Sequence, residues 1–197
     1  MILEFILDYL DGLKEMESKY TYWYWDKFFN TKDLKEINKI CGNNLIKSID
    51  RPANTTKTSI VKFCEWRNIK SKLNDLYEKI KLTNAEKFGY VLYDLNDFDH
   101  ININSYFEEN KGQYDWHSDG SKSHVFDIKF TIIINTSLNK YKGGKFYLFD
   151  NGPKHIETLD NPGSVLMFRS YINHKVDPII KGSRNSIAIF VKGPKFV

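Results

Sequence analysis

Apolar residues follow two different rhythms along this chain. In "NTKDLKEINKI" they fall at Leu34, Ile37 and Ile40, close to the helical period, behind a cap at Asn30 or Thr31. In "WRNIKSKLNDLYEKI" they fall at Trp66, Ile69, Leu73, Leu76, Tyr77 and Ile80, which predicts an amphipathic helix lying on something. The first third therefore reads as mainly helical. "TYWYWDKFF", residues 21–29, is dense in aromatics and reads as a core strand leading into the first helix. A stacking platform for nucleic acid would need interleaved basic residues, and these are nearly absent.

After about residue 88 the period becomes two. "GYVLYDL", "HININSYF", "HVFDIKFTIIIN", "GKFYLFD", "HIETL", "GSVLMF" and "RNSIAIFV" are short runs of β-branched and aromatic residues separated by Gly, Pro, Asn and Asp. Seven or eight such strands predict a mainly β sandwich, jelly roll or small barrel, with the N-terminal helices covering one face. Without a repeat or a linker, the expected unit is a single domain over 1–197. It would have a mainly helical part at 1–87 and a β core at 88–197.

Composition changes this picture little. A length of 197 residues, 41 % of them hydrophobic, supplies one well-buried core. The net charge of +4 is mild and there is no run of five or six like charges, so it does not point to nucleic acid. Lysine dominates the basic residues, which makes Arg51, Arg67, Arg169 and Arg184 individually informative. Cys41 and Cys64 have no metal-like spacing and are expected to be reduced and in the core. "MILEFILDYL" is broken by Glu4 and Asp8 and lacks a basic start and a cleavage site, so a soluble, cytoplasmic protein without a membrane partner is expected.

Candidate chemistry is concentrated around five histidines. In "YDWHSDG", His117 and Asp119 lie on one side of an extended chain because side chains alternate, so their donor atoms can converge on an ion. His174, in "RSYINHKVDP" just after a predicted strand, is the best third ligand. Two histidines and a carboxylate on one face leave coordination positions open, as in non-heme Fe(II) oxygenases. Alone, a His-x-Asp in a loop is usually a solvated turn. Arg184 in "KGSRNSIAIF" shares a strand face with Ser186, and its planar fork matches a carboxylate bidentately.

The ordered set "YFEENKGQYDWHSD", "LNKYKGGKFYLF", "NPGSVLMFRSYINHKVDPI" and "KGSRNSIAIFV" resembles the iron(II)- and 2-oxoglutarate-dependent dioxygenases of the prolyl 4-hydroxylase-like group, over about residues 88–193. The resemblance implies a double-stranded β-helix (a cupin-like jelly roll) with Fe(II) held by His117, Asp119 and His174. It also implies that Arg184 anchors the far carboxylate of 2-oxoglutarate. Tyr106 would reach the cosubstrate, with Tyr114 as the competing choice, and Gly143-Gly144 matches a Gly-Gly common between two central strands of the family. Lys129, Thr131 and Ile133 would share one strand face, with Thr131 the better polar contact to the cosubstrate and Lys129 either lining the site or solvated at the strand end.

The implied reaction couples oxidative decarboxylation of 2-oxoglutarate by O2, giving succinate and CO2, to hydroxylation of an unactivated C–H bond. The substrate would be a peptide side chain such as proline, or a free amino acid, and ascorbate would serve as reductant. Iron, Asp119, a dianionic cosubstrate and Arg184 sum to zero charge, which suits an apolar pocket. Phe190 stands where the nucleic-acid demethylases of the superfamily carry a second arginine, which disfavours a repair role. "HSDGSKSHVFD" is either a substrate lid hinged at Gly120, with His124 exposed, or a plain connection. Two alternatives from other classes are a cupin-like metalloenzyme that does not use 2-oxoglutarate and a non-catalytic β-sandwich binding module.

Overall fold

The computed structural model describes residues 20–51, 56–120 and 123–196. The "MILEFILDYL" segment, and Ser121 and Lys122 of "HSDGSKSHVFD", lie outside them.

Two helices form where the 3.6-residue rhythm predicts them. Helix α1 (Thr31–Asn43) is capped by Asn30, not Thr31. The Asn30 side chain accepts from the Lys32 and Asp33 amides, while Asp33 accepts from the Asn30 amide. It buries Leu34, Ile37 and Cys41. Helix α2 (Trp66–Lys87) buries Trp66, Ile69, Leu73, Leu76, Tyr77 and Ile80. Its exit is fixed by Asn84, whose side chain both donates to the Tyr90 carbonyl (2.8 Å) and accepts from the Tyr90 amide (3.0 Å).

Both helices lie on one face of a large antiparallel sheet. Its strands run β1 (Tyr22–Trp25), β10 (Val165–Arg169), β6 (Phe126–Asn135), β13 (Ser183–Pro194), β4 (His100–Phe107) and β3 (Lys57–Glu65), with β2 (Lys47–Arg51) also on β3. At its start β3 leaves β4 and pairs Lys57 with Tyr114 and Thr58 with Gln113 of β5 (Gln113–His117). From there the sheet continues through β11 (His174–Val176), β8 (Phe146–Phe149) and β9 (Pro153–His155). A further pair joins β7 (Lys142–Gly143) to β12 (Ile179–Lys181). The sheet thus curls back over its own inner face, giving the expected jelly roll.

Alternation along the strands sorts residues between two cores. On β6 and β13, Phe130, Ile132, Ile134, Ile187, Ile189 and Val191 point outward into the cluster with Leu34, Ile37, Leu73 and Ile80. Ile133, Leu166, Phe168 and Ala188 point inward, to a second cluster with Phe146, Leu148 and Val176. Each buried large aliphatic residue stabilises the fold by about 1.5–3 kcal/mol, and the inner face keeps the room left for chemistry.

The structure departs from the sequence reading in places with identifiable causes. β2 and β3 fall within the part read as mainly helical. "GYVLYDL" is not a strand: Gly89 (φ 73°) and the Asn84 clamp turn the chain, which then runs beside β13 through a Tyr93 amide to Lys192 carbonyl bond of 2.8 Å. Lys129 does not share a face with Thr131 and Ile133. The pairing of β6 with β13 shifts between Val191 and Lys192, leaving Lys129 as the extra residue of a bulge. Its ammonium lies 3.3 Å from the Phe196 ring centroid, away from the inner face. Cys41 and Cys64 are free and buried, as expected.

Candidate metal centre

Three candidate ligands come from the smaller limb of the curl. The pairing of β11 with β5 sets His174 directly opposite His117, and Asp119 follows two residues beyond the end of β5. The Asp119 amide donates to the Ser170 carbonyl at 2.8 Å, and the Ser170 hydroxyl donates to the Ile128 carbonyl, so the post-strand turn is tied to the larger sheet. The Thr131 hydroxyl, on the inner face of β6, donates to Asp119 Oδ2 at 2.7 Å.

His117 Nδ1 lies 2.7 Å from the Asp115 carbonyl oxygen and His174 Nδ1 lies 3.0 Å from that of Ile172. Carbonyls only accept, so each Nδ1 carries the proton and each Nε2 presents a lone pair. That tautomer, held by a backbone carbonyl, is the usual support of a metal-ligating histidine. His117 Nε2 is 3.8 Å from Asp119 Oδ1, and His174 Nε2 is 3.3 Å from Asp119 Oδ2. One donor atom from each residue falls within 4.8 Å of the others. Two imidazoles and a carboxylate with open positions fit Fe(II) by donor chemistry.

The surroundings set the charge states. Burial, then the neighbouring His174, push the His117 imidazole down to about 4, so it is neutral and able to ligate at neutral pH. Burial pushes Asp119 up, but the neighbouring His174, the Thr131 hydroxyl and His117 together outweigh it and hold the carboxyl below its ordinary value. The Tyr114 ring stacks on His117 with centroids 3.4 Å apart, and Phe168 meets His174 edge-on at 4.7 Å.

The triad opens into a cavity also lined by Tyr106, Ile133, Phe146, Arg184, Ser186 and Phe190. Arg184 is 1 % exposed, and its Nη1 donates to Ser186 Oγ at 3.1 Å. Its Nη2 is buried with no hydrogen-bond partner among the described residues. A buried guanidinium nitrogen left unpaired costs several kcal/mol by order of magnitude. Tyr106 pairs in register with Arg184 and its ring lies 5.9 Å from the guanidinium carbon. Gly144 (φ 62°) leaves room for the arginine stem, since a Cβ there would come within 3.1 Å of Arg184 Cδ.

Of the residues singled out from sequence, His117, Asp119, His174, Tyr106, Tyr114 and Arg184 line this one cavity. Thr131 sits on the Asp119 carboxylate. His124 is exposed as expected. Sequence reasoning missed Lys57 and Asn104, which line the same cavity and are joined by a 2.7 Å hydrogen bond. It also missed Ser170. None of these carries a local sequence signal, because each enters the site through strand register.

Comparison with known proteins agrees with this geometry. No curated protein sequence matches the chain. Among solved structures, a prolyl-4-hydroxylase from Pseudomonas putida superposes with a TM-score of 0.69 at 14 % identity, covering 94 % of this chain and 100 % of that one. A viral collagen prolyl hydroxylase from Paramecium Bursaria Chlorella virus-1, in its 2OG complex, gives 0.66 at 15 % identity, covering 89 % and 97 %. A prolyl hydroxylase from Trichoplax adhaerens in complex with a hypoxia inducible factor peptide gives 0.66 at 14 %, covering 95 % and 92 %. At these identities the likeness is one of fold. Residues 101–192, which include the triad and Arg184, match the family model of the 2OG-Fe(II) oxygenase superfamily, a family that uses Fe(II), 2-oxoglutarate and O2. On that match residues 101–192 carry a 2OG-Fe(II) oxygenase domain.

Proposed function

We propose that this protein hydroxylates an unactivated C–H bond of a peptidyl side chain, proline being the favoured residue, with His117, Asp119 and His174 holding Fe(II) and Arg184 anchoring 2-oxoglutarate. The observation that carries the reading is the unpartnered, buried Nη2 of Arg184 in the same cavity as the triad. A cupin-like enzyme without 2-oxoglutarate, or a binding module, would have no use for it.

Bound iron would supply the chelation site for the 2-oxo acid and the activation of O2. The chain's own residues bind, orient and exclude water. Thr131 fixes the Asp119 carboxylate, and the Asp115 and Ile172 carbonyls fix the two imidazole tautomers. Arg184 offers a permanently charged fork, with Tyr106 beside it. Ile133, Phe146, Phe168 and Ala188 form the apolar wall that keeps bulk water from the reacting atoms. No side chain has to act as general acid or base.

Support for a peptide comes from the named relatives, prolyl hydroxylases in three cases and one of them in complex with a peptide. Among the described residues no helix is long and apolar enough to cross a membrane. The free Cys41 and Cys64 fit a reducing compartment, so we place the protein in the cytoplasm. The test is aerobic incubation with Fe(II), 2-oxoglutarate, ascorbate and a peptide library. Succinate release with gain of one oxygen atom on a prolyl peptide is expected. Succinate release that tracks only free amino acids would overturn the peptidyl assignment, and absence of any release would overturn the reaction.

A further inference from the structure

The cavity that contains the triad continues into a wider groove through two shared wall residues, Asn102 and Phe190. Strand register fixes where the two spaces meet. Asn102, on the same face of β4 as Tyr106, pairs with Ala188 of β13. Phe190, two residues further along β13, stands opposite Thr131 of β6, whose hydroxyl donates to Asp119. The groove is further lined by Phe126, Ile128 and Phe98, the last 62 % exposed, and by Gly120, which directly follows Asp119. The lysine and the one carboxylate of the groove wall meet each other, since the Lys192 ammonium donates to Asp99. The half-buried Asn102 side chain, by contrast, has no hydrogen-bond partner among the described residues.

These features select the occupant. A carboxamide carries an acceptor oxygen and a donor nitrogen in one plane, the complement of the N–H and C=O of a peptide backbone. A nucleobase edge offers similar groups, but nucleic acid also needs cations for its phosphates, and the groove's lysine is already held by Asp99. A free amino acid brings two charges of its own and is suited to an enclosed pocket, not to a groove open along its length. We propose that Asn102 is a specificity-determining residue whose carboxamide hydrogen-bonds the backbone of an uncharged, extended peptide segment lying in this groove. Phe126, Ile128 and Phe190 receive the apolar side of that segment, and the target residue enters the cavity between Asn102 and Phe190. The inference rests on the proposed reading of the cavity as the site of a peptidyl hydroxylase, and adds which residue reads the peptide and where the peptide lies.

The full chain, loaded with Co(II) and saturated with 2-oxoglutarate, is the material for the test. The probe is the uncharged pentapeptide acetyl-Ala-Ala-Pro-Ala-Ala-amide, read by paramagnetic broadening of its prolyl ring protons, which requires the proline to sit beside the metal. The pentapeptide should be broadened saturably, and free proline at the same concentrations should not. Asn102→Leu keeps the approximate size of the side chain and should weaken the pentapeptide by about tenfold, as for one or two neutral hydrogen bonds. The affinity for 2-oxoglutarate, followed by tryptophan fluorescence, should be equal in the two proteins. Ester analogues, with lactate in place of each alanine in turn, remove one backbone N–H at a time. One of them should bind the unsubstituted protein as weakly as the parent peptide binds Asn102→Leu and lose nothing further in that variant, a pattern that a merely structural role of Asn102 would not give. Absence of saturable broadening, or equal pentapeptide affinity in Asn102→Leu, overturns the inference. So does a parallel loss of 2-oxoglutarate affinity, which would make Asn102 a cosubstrate contact, or Asn102-dependent binding of a short single-stranded oligoadenylate in place of the peptide. With Fe(II) and O2, equal oxygenation of the pentapeptide by both proteins would leave the peptidyl reading standing and overturn the role of Asn102. Failure of the unsubstituted chain to bind Co(II) or 2-oxoglutarate would overturn the reading of the site itself and this inference with it.

Discussion

At the scale of single residues, the proposed site separates groups that would touch a metal from groups that aim them. With Arg184 as the proposed anchor, Arg184→Ala would remove a charge-assisted contact of roughly 2–3 kcal/mol, so 2-oxoglutarate affinity should fall by about 30- to 100-fold. Metal affinity should stay within about twofold, because Arg184 is no ligand; isothermal titration with each component checks both. Thr131→Val keeps the shape of the side chain and deletes the hydroxyl that donates to Asp119. Metal affinity should drop about tenfold with the melting temperature nearly unchanged, as for other supporting hydrogen bonds to a ligating carboxylate. The triad and Arg184 were legible in the sequence because their chemistry demands particular residue types in a particular order. Thr131 was placed on the correct face, yet the target of its hydroxyl was not legible, since that depends on where the turn after β5 carries Asp119. Lys57 was invisible for a related reason: it reaches the site from far upstream, through a segment read as helical.

At the scale of elements, the periodic ones were readable and the short ones were not. α1 and α2 carry long apolar repeats, and β6, β10 and β13 carry apolar runs buried on both faces at their centres. β5 and β11 hold the two histidines but are five and three residues long, too short to show a period. The bulge that turns Lys129 outward is a property of two strands paired together, and neither strand alone encodes it visibly. Gly163 tests how the entry to the large sheet is held. It has φ 84°, and a Cβ there would lie 1.9 Å from the Phe29 carbonyl oxygen, whose residue also donates its amide to Gly163. Gly163→Ala should destabilise the protein by roughly 3 kcal/mol or more in chemical denaturation, from strain and backbone clash together. Gly42→Ala is its control: nothing lies within 4 Å of a Cβ in that last turn of α1, and helix propensity predicts a gain of up to about 1 kcal/mol. Equal effects of the two substitutions would contradict the packing described here.

At the scale of the whole molecule, the curl brings together residues that are far apart in sequence. Lys57, Tyr106, Asp119, His174 and Arg184 come from five separate stretches of chain and line one cavity. The helices on the outer face of the large sheet leave its inner face free for that cavity. The mainly β architecture was legible from the change of rhythm near residue 88, whereas the contribution of β3 to both limbs was not, because its alternation is masked by lysines. The central claim is that His117, Asp119 and His174 hold Fe(II) in a form that 2-oxoglutarate chelates while Arg184 holds its far end. Anaerobic titration of the protein with Fe(II) and then 2-oxoglutarate tests this most directly, through the weak visible metal-to-ligand charge-transfer band of the chelate. The band should appear and saturate at one equivalent of iron in the unsubstituted protein and be absent in Asp119→Ala. No band in the unsubstituted protein, or an undiminished band in Asp119→Ala, would contradict the account.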